Sequence, residues 1–259
     1  MASRTPPPTD APDDVSPDTG TGPGADRESP PATASTVADE RHCRHVVRPD
    51  GSDLLVVGVV HDHPASVARV RRICRRVDPD TLALELPRAS LPLYRRFAAT
   101  DPPETGGEMS AAIAAAPAAR LVSADPLDSR LLFGLVRETH RTDRSWETVR
   151  AVADRTLAVT RNALGDRLAA LSPEPPDPPE ATTYGCEDAT PEAQADHEAD
   201  HVSRCSLLAG ATVAPPAVRI TDAVRERRMA RRLAAVDGGT VVAVVGWSHL
   251  DPVVGRLDA

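Results

Sequence analysis

Lysine is absent from this sequence: every one of the 30 basic side chains among its 259 residues is arginine. Acidic residues outnumber them at 38, leaving a net charge of −8 and no surplus for the basic patch that nucleic-acid phosphates need. Nucleic acid is therefore not an expected partner. An acidic, lysine-free chain rich in alanine and valine fits a GC-rich genome and a halophilic cytoplasm, where carboxylates keep the surface hydrated. Aromatic residues make up only 2%. No apolar run reaches the roughly 18 residues of a membrane span, and the first residues lack the apolar core of a signal peptide. A soluble, cytoplasmic protein with no membrane segment is expected. The four cysteines, Cys43, Cys74, Cys186 and Cys205, form no CxxC pair. In a reducing compartment they read as free, structural thiols.

What the chain does have is a repeated ending. LLVVGVVHDHPAS (residues 54–66) and TVVAVVGWSH (residues 240–249) are Val-rich runs that deliver a histidine three residues past a glycine. Both have the length and branching of fully buried strands. Between them, residues 66–77 carry Val67, Val70, Ile73, Cys74 and Val77 at helical spacing. Ser66 is placed to cap this helix, and Arg69, Arg72 and Arg76 fall on its opposite, wet side. TLALEL (residues 81–86) follows as a strand, so strand, helix and strand form a parallel βαβ unit. An alanine-rich helix opens at Glu108-Met109, and a strand is expected over residues 119–123. Residues 127–171 read as two or three helices broken near Thr142, and helices resume over 191–208 and 221–236. Residues 1–45 and 172–190 are dominated by proline and acidic or small polar residues. They read as a disordered N-terminal tail and a mobile loop. His42-Cys43-Arg44-His45 has metal-capable atoms but no neighbours to complete a shell.

The fold class is thus α/β: one domain over residues 46–259, a mainly parallel central sheet, flanking helices and a helical middle insertion. In open parallel sheets, ligands bind outside the carboxyl ends of the strands. His61, Glu85 and His249 all fall at such ends. Two histidines and a carboxylate are a recurring ligand set for a divalent ion such as manganese, cobalt or zinc, with positions left open for water and substrate. His63 reads as a loop histidine.

These stretches resemble the TraB/PrgY family of the TraB–Tiki–GumN group, related to ChaN and the erythromycin esterases. LLVVGVVHDHPAS resembles the family's GTAH opening, and DPDTLALELP its strand that ends in glutamate. Gly106-Gly107-Glu108-Met109 resembles its GGEM helix start, and Arg225-Glu226-Arg227-Arg228-Met229-Ala230 its ER-D-x-M-A helix. VVAVVGWSHL resembles its closing GxGHL. Val59-Val60, Ser248, Asp125-Pro126 and Arg228 depart from the family pattern. The resemblance covers about residues 53–254 and implies a metal-dependent hydrolase acting on a peptide or small-molecule substrate. It implies His61 and His249 as metal or catalytic residues, Glu85 as ligand or base, and Arg227 as an electrostatic partner. A ligand-binding module without turnover is the alternative that the likeness to ChaN permits.

A competing pattern stands at His197-Glu198-Ala199-Asp200-His201, literally the HExxH of zinc proteases. Its acidic setting matches a halophilic surface, so His197 and His201 are expected to face solvent on a helix without a third protein ligand.

Overall fold

A computed structural model describes residues 41–99, 102–125, 127–142, 145–173 and 182–257. Most of the expected tail, and residues 174–181 of the expected loop, lie outside the described residues. The sheet is assembled from β1 (Cys43–Val47), β2 (Asp53–Val59), β3 (Thr81–Leu84), β4 (Arg120–Ser123) and β5 (Val241–Gly246). Its order is β1-β2-β5-β3-β4, with every neighbour parallel except the antiparallel edge strand β1. The last strand in sequence is therefore central in space, paired to β2 on one side and β3 on the other.

The helices are α1 (Pro64–Val77), α2 (Leu91–Phe97), α3 (Gly107–Ala115), α4 (Ser129–Thr142), α5 (Trp146–Ala169), α6 (Pro191–Ala211), α7 (Pro216–Ala234) and α8 (Trp247–Val254). Side chains alternate across a strand, so a buried sheet needs an apolar core on each face. Leu55, Val57, Leu82, Leu84, Val242 and Val244 pack with α1 and α3 on one side. Leu54, Val56, Ala83, Val241, Ala243 and Val245 pack with α7 and α8 on the other. This is why β2 and β5 read as unbroken apolar runs rather than alternating ones. The helical middle forms a third, smaller core in which Leu131, Leu135 and Val152 meet Ala217, Ile220 and Val224 of α7.

Three local expectations are corrected. The domain begins earlier than residue 46, because Cys43 already pairs with Val57 across β1–β2. His63, not Ser66, caps α1: its Nδ1 accepts from the Ala65 N–H at 3.2 Å, while Ser66 lies buried in the first turn. Arg69 is not on a wet face but is buried against Glu198 of α6. Its helical position faces a partner that local periodicity cannot reveal. The short α2 and the final α8 are additions to the sequence reading.

Candidate functional site

The sheet brings the carboxyl ends of β2, β5 and β3 side by side. Glu85 follows β3, and its backbone N–H continues the ladder to the Val244 carbonyl at 3.0 Å. Both carboxylate oxygens are engaged: Oε2 accepts from the Gly246 N–H at 2.6 Å and Oε1 from Arg225 Nη2 at 2.7 Å. His249 sits in the first turn of α8 with its Nε2 3.6 Å from Glu85 Oε1. A methyl group built on Gly246 would lie 3.4 Å from Glu85 Oε2, 3.5 Å from His61 Nε2 and 3.7 Å from His249 Cδ2. The three predicted residues therefore surround one point, the place a side chain on Gly246 would occupy, which glycine leaves open.

Each histidine is aimed by a carboxylate on its far nitrogen. His61 Nδ1 lies 2.7 Å from Glu108 Oε1, and the other Glu108 oxygen accepts the Asp62 N–H at 2.9 Å. His249 Nδ1 lies 3.3 Å from Glu226 Oε1. Nδ1–H donation to those carboxylates leaves both Nε2 atoms free to accept, the arrangement that orients metal-binding imidazoles. The hydrogen bond to Glu108 raises the His61 pKa above the ordinary imidazole value despite burial. For His249, burial opposes the charge, yet Glu226 and Glu85 override it and the pKa is raised. The His61 side chain is 60% exposed whereas those of Glu85 and His249 are 5% and 10% exposed, so solvent reaches the cluster from the His61 side.

Local geometry explains how Glu108 arrives. Gly106 and Gly107 both hold positive φ, 84° and 52°, which non-glycine residues rarely adopt. A side chain on Gly107 would collide with the Asp62 carboxylate. The two glycines thus let α3 start directly against the β2–α1 turn. Asp62, itself at φ 60°, completes that tight corner.

The arginine of the site is Arg225, two positions from the expected Arg227. Arg225 bridges Glu85 and Asp125, reaching the latter through Nε at 2.8 Å. Burial opposes its charge, but the two carboxylates more than compensate and its pKa is raised. Arg227 instead meets Glu138 of α4 at 2.7 Å. The buried stripe of α7 runs through Ile220, Val224, Met229 and Leu233 and includes Glu226. A carboxylate on that stripe was the signal that could have found Glu226. Glu108 read from sequence as a charge favouring a helix start, and only the fold shows what it grips.

The HExxH stretch is corrected more thoroughly. Glu198 is the one buried residue of α6; it accepts from Ser66 and pairs with Arg69, which also donates to the Gly58 carbonyl at 3.3 Å. A carboxylate so held is an anchor, not a base for water. His197 does not face solvent alone: its Nδ1 is 3.0 Å from His63 Nε2, and Cys186 Sγ is 3.7 Å from that same nitrogen. Among the described residues, His63, Cys186 and His197 are the only set of three or more His, Cys, Asp or Glu side chains whose ligand atoms all lie within 4.8 Å. The His61, Glu85 and His249 tips stand wider than that. His201 turns instead toward Cys205, 3.6 Å away, and the Tyr184 ring. Comparison with protein-family models, curated proteins and solved structures finds no match to this chain.

Proposed function

We propose that the chain is a metal-dependent hydrolase of the TraB–Tiki type, with His61, Glu85 and His249 as its ligand set and a peptide or small-molecule substrate. One observation carries this reading: two histidines, each oriented by a carboxylate on Nδ1, present Nε2 toward a buried glutamate around Gly246. Neutral nitrogens and a carboxylate oxygen suit a divalent ion, and the carboxylates behind the rings are the outer partners such ligands need. A divalent ion held there supplies Lewis-acid polarisation and lowers the pKa of water. The protein's own groups do the rest. Arg225 and the Gly246 N–H fix both oxygens of Glu85, so its remaining lone pairs keep one direction. Glu226 holds the buried His249 ring, and Glu108 holds His61 at the solvent-facing rim where substrate enters.

The test is metal content and peptide hydrolysis measured together on the wild type and on His61→Ala, Glu85→Gln and His249→Ala. Both histidine variants are expected to lose bound metal and turnover in parallel. Glu85→Gln separates two roles: a ligand shows lost metal, a general base shows metal retained with turnover down by about 10²–10⁴-fold. Unchanged metal content and activity in His61→Ala would overturn the proposal in favour of a ligand-binding module.

A further inference from the structure

We propose that His63, Cys186 and His197 form a second metal site, for a thiolate-preferring ion of the zinc class. It would fasten residues 182–190 and α6 to the turn that carries His61. The three residues come from distant parts of the chain, yet their ligand atoms all lie within 4.8 Å of one another. Around a tetrahedral zinc, with Zn–N about 2.0–2.1 Å and Zn–S about 2.3 Å, two nitrogens stand about 3.3 Å apart and a nitrogen and a sulfur about 3.5 Å. The corresponding separations here are 3.0 and 3.7 Å. His63 is fully buried and Cys186 is 7% exposed, so neither is an ordinary surface side chain. The sulfur decides the ion class, because a soft thiolate with two imidazoles selects zinc over magnesium, calcium or manganese. Three protein ligands leave the fourth tetrahedral position for water.

Without an ion, the same atoms make a hydrogen-bonded pair. The Ala65 N–H donates to His63 Nδ1, so His63 Nε2 carries the proton and donates it to His197 Nδ1. Ion binding changes this in a balanced way. The Cys186 thiol releases its proton to solvent, the His63 proton moves from Nε2 to Nδ1, and the Ala65 N–H gives up its acceptor. The capping hydrogen bond and the His63–His197 hydrogen bond are exchanged for three coordinate bonds.

The location gives the site a consequence. Tyr184, two residues before Cys186, donates its hydroxyl to the His61 carbonyl at 2.7 Å, and its ring lies 4.6 Å from that of His63. The Thr182 N–H reaches Asp62 Oδ2 at 3.4 Å. An ion on Cys186 therefore holds this segment against the turn between His61 and His63.

The experiment is a Co²⁺ titration of the metal-stripped full chain, read by thiolate-to-cobalt charge-transfer absorption. The His61, Glu85 and His249 set contains no sulfur and cannot give this band, so the two sites are told apart. The band is expected to saturate within two equivalents of added cobalt, at one thiolate-bound cobalt per chain, in the wild type, in His61→Ala and in Cys205→Ser. Cys186→Ser should abolish it, and His197→Gln, a change on a partly exposed helix face, should weaken cobalt binding at least tenfold, as even outer-shell losses cost about 10–100-fold. No band in the wild type, a band surviving in Cys186→Ser, or one lost in Cys205→Ser would overturn the proposal. Loss of hydrolysis in His61→Ala with the band intact would leave this inference standing on its own.

Discussion

Arg225 and Arg227 are two residues apart on one helix and differ sharply in what their removal should cost. Arg225 neutralises Glu85 and Asp125, whose side chains are 5% and 9% exposed. Arg225→Ala leaves two buried carboxylates without their cation and is expected to destabilise the fold by roughly 3–5 kcal/mol. Arg227→Ala breaks a half-exposed pair with Glu138 and should cost only about 0–1 kcal/mol, read in both cases as a shift in denaturant midpoint. The smaller effect has a pH signature. The hydrogen bond from Arg227 lowers the Glu138 pKa, so the pair stabilises the protein above the ordinary carboxylate pKa. That contribution is lost as pH falls through the lowered value, and wild type and Arg227→Ala should converge in acid. Gly246 allows a different test. Its φ of −56° suits any residue, and a methyl group there makes only ordinary contacts. Gly246→Ala should therefore keep the melting temperature nearly unchanged while filling the space between His61, Glu85 and His249. Turnover and metal binding at that set should fall together; full activity in a stable Gly246→Ala protein would show that nothing needs the gap.

Helix α6 illustrates how an element can be held by one polar residue. Its leucines Leu207 and Leu208 are exposed, and Glu198 is its single buried side chain. Burial pushes the Glu198 pKa up, but the guanidinium of Arg69 and the Ser66 hydroxyl outweigh this and it is lowered. Removing the charge leaves Arg69 buried and unpaired, a loss of about 3–5 kcal/mol in comparable buried pairs. Glu198→Gln is accordingly expected to speed hydrogen exchange across α6 and residues 182–190 while amides of β2 and β5 stay protected. Equal loosening of sheet and helix would mean that α6 is not a separately anchored unit. A local pattern could not disclose this anchor. Periodicity placed Arg69 opposite the apolar face of α1 and His197 and Glu198 in an acidic run, but a partner more than a hundred residues away leaves no trace in either window.

The molecule as a whole is closed by β5. This strand lies between β2 and β3 and contributes Val242 and Val244 to one core and Val241, Ala243 and Val245 to the other. A chain ending at Thr240 would expose two strand edges and lose the middle of both cores, so it should show no cooperative thermal transition by circular dichroism. The sequence by itself determined the α/β class, because Val-rich runs of strand length separated by helical patterns bury both faces only as a parallel sheet. It also marked His61, Glu85 and His249, since a polar residue where an apolar strand ends stands at the carboxyl end of a sheet strand, where ligands bind. Only the tertiary structure decided that β5 enters the middle of the sheet, which is what sets those three side chains around Gly246. The partners Glu108, Arg225 and Glu226, and the meeting of His63, Cys186 and His197, were likewise decided in three dimensions. Hydrophobic periodicity records which face of an element is buried, but the choice of polar partner depends on which distant element packs there.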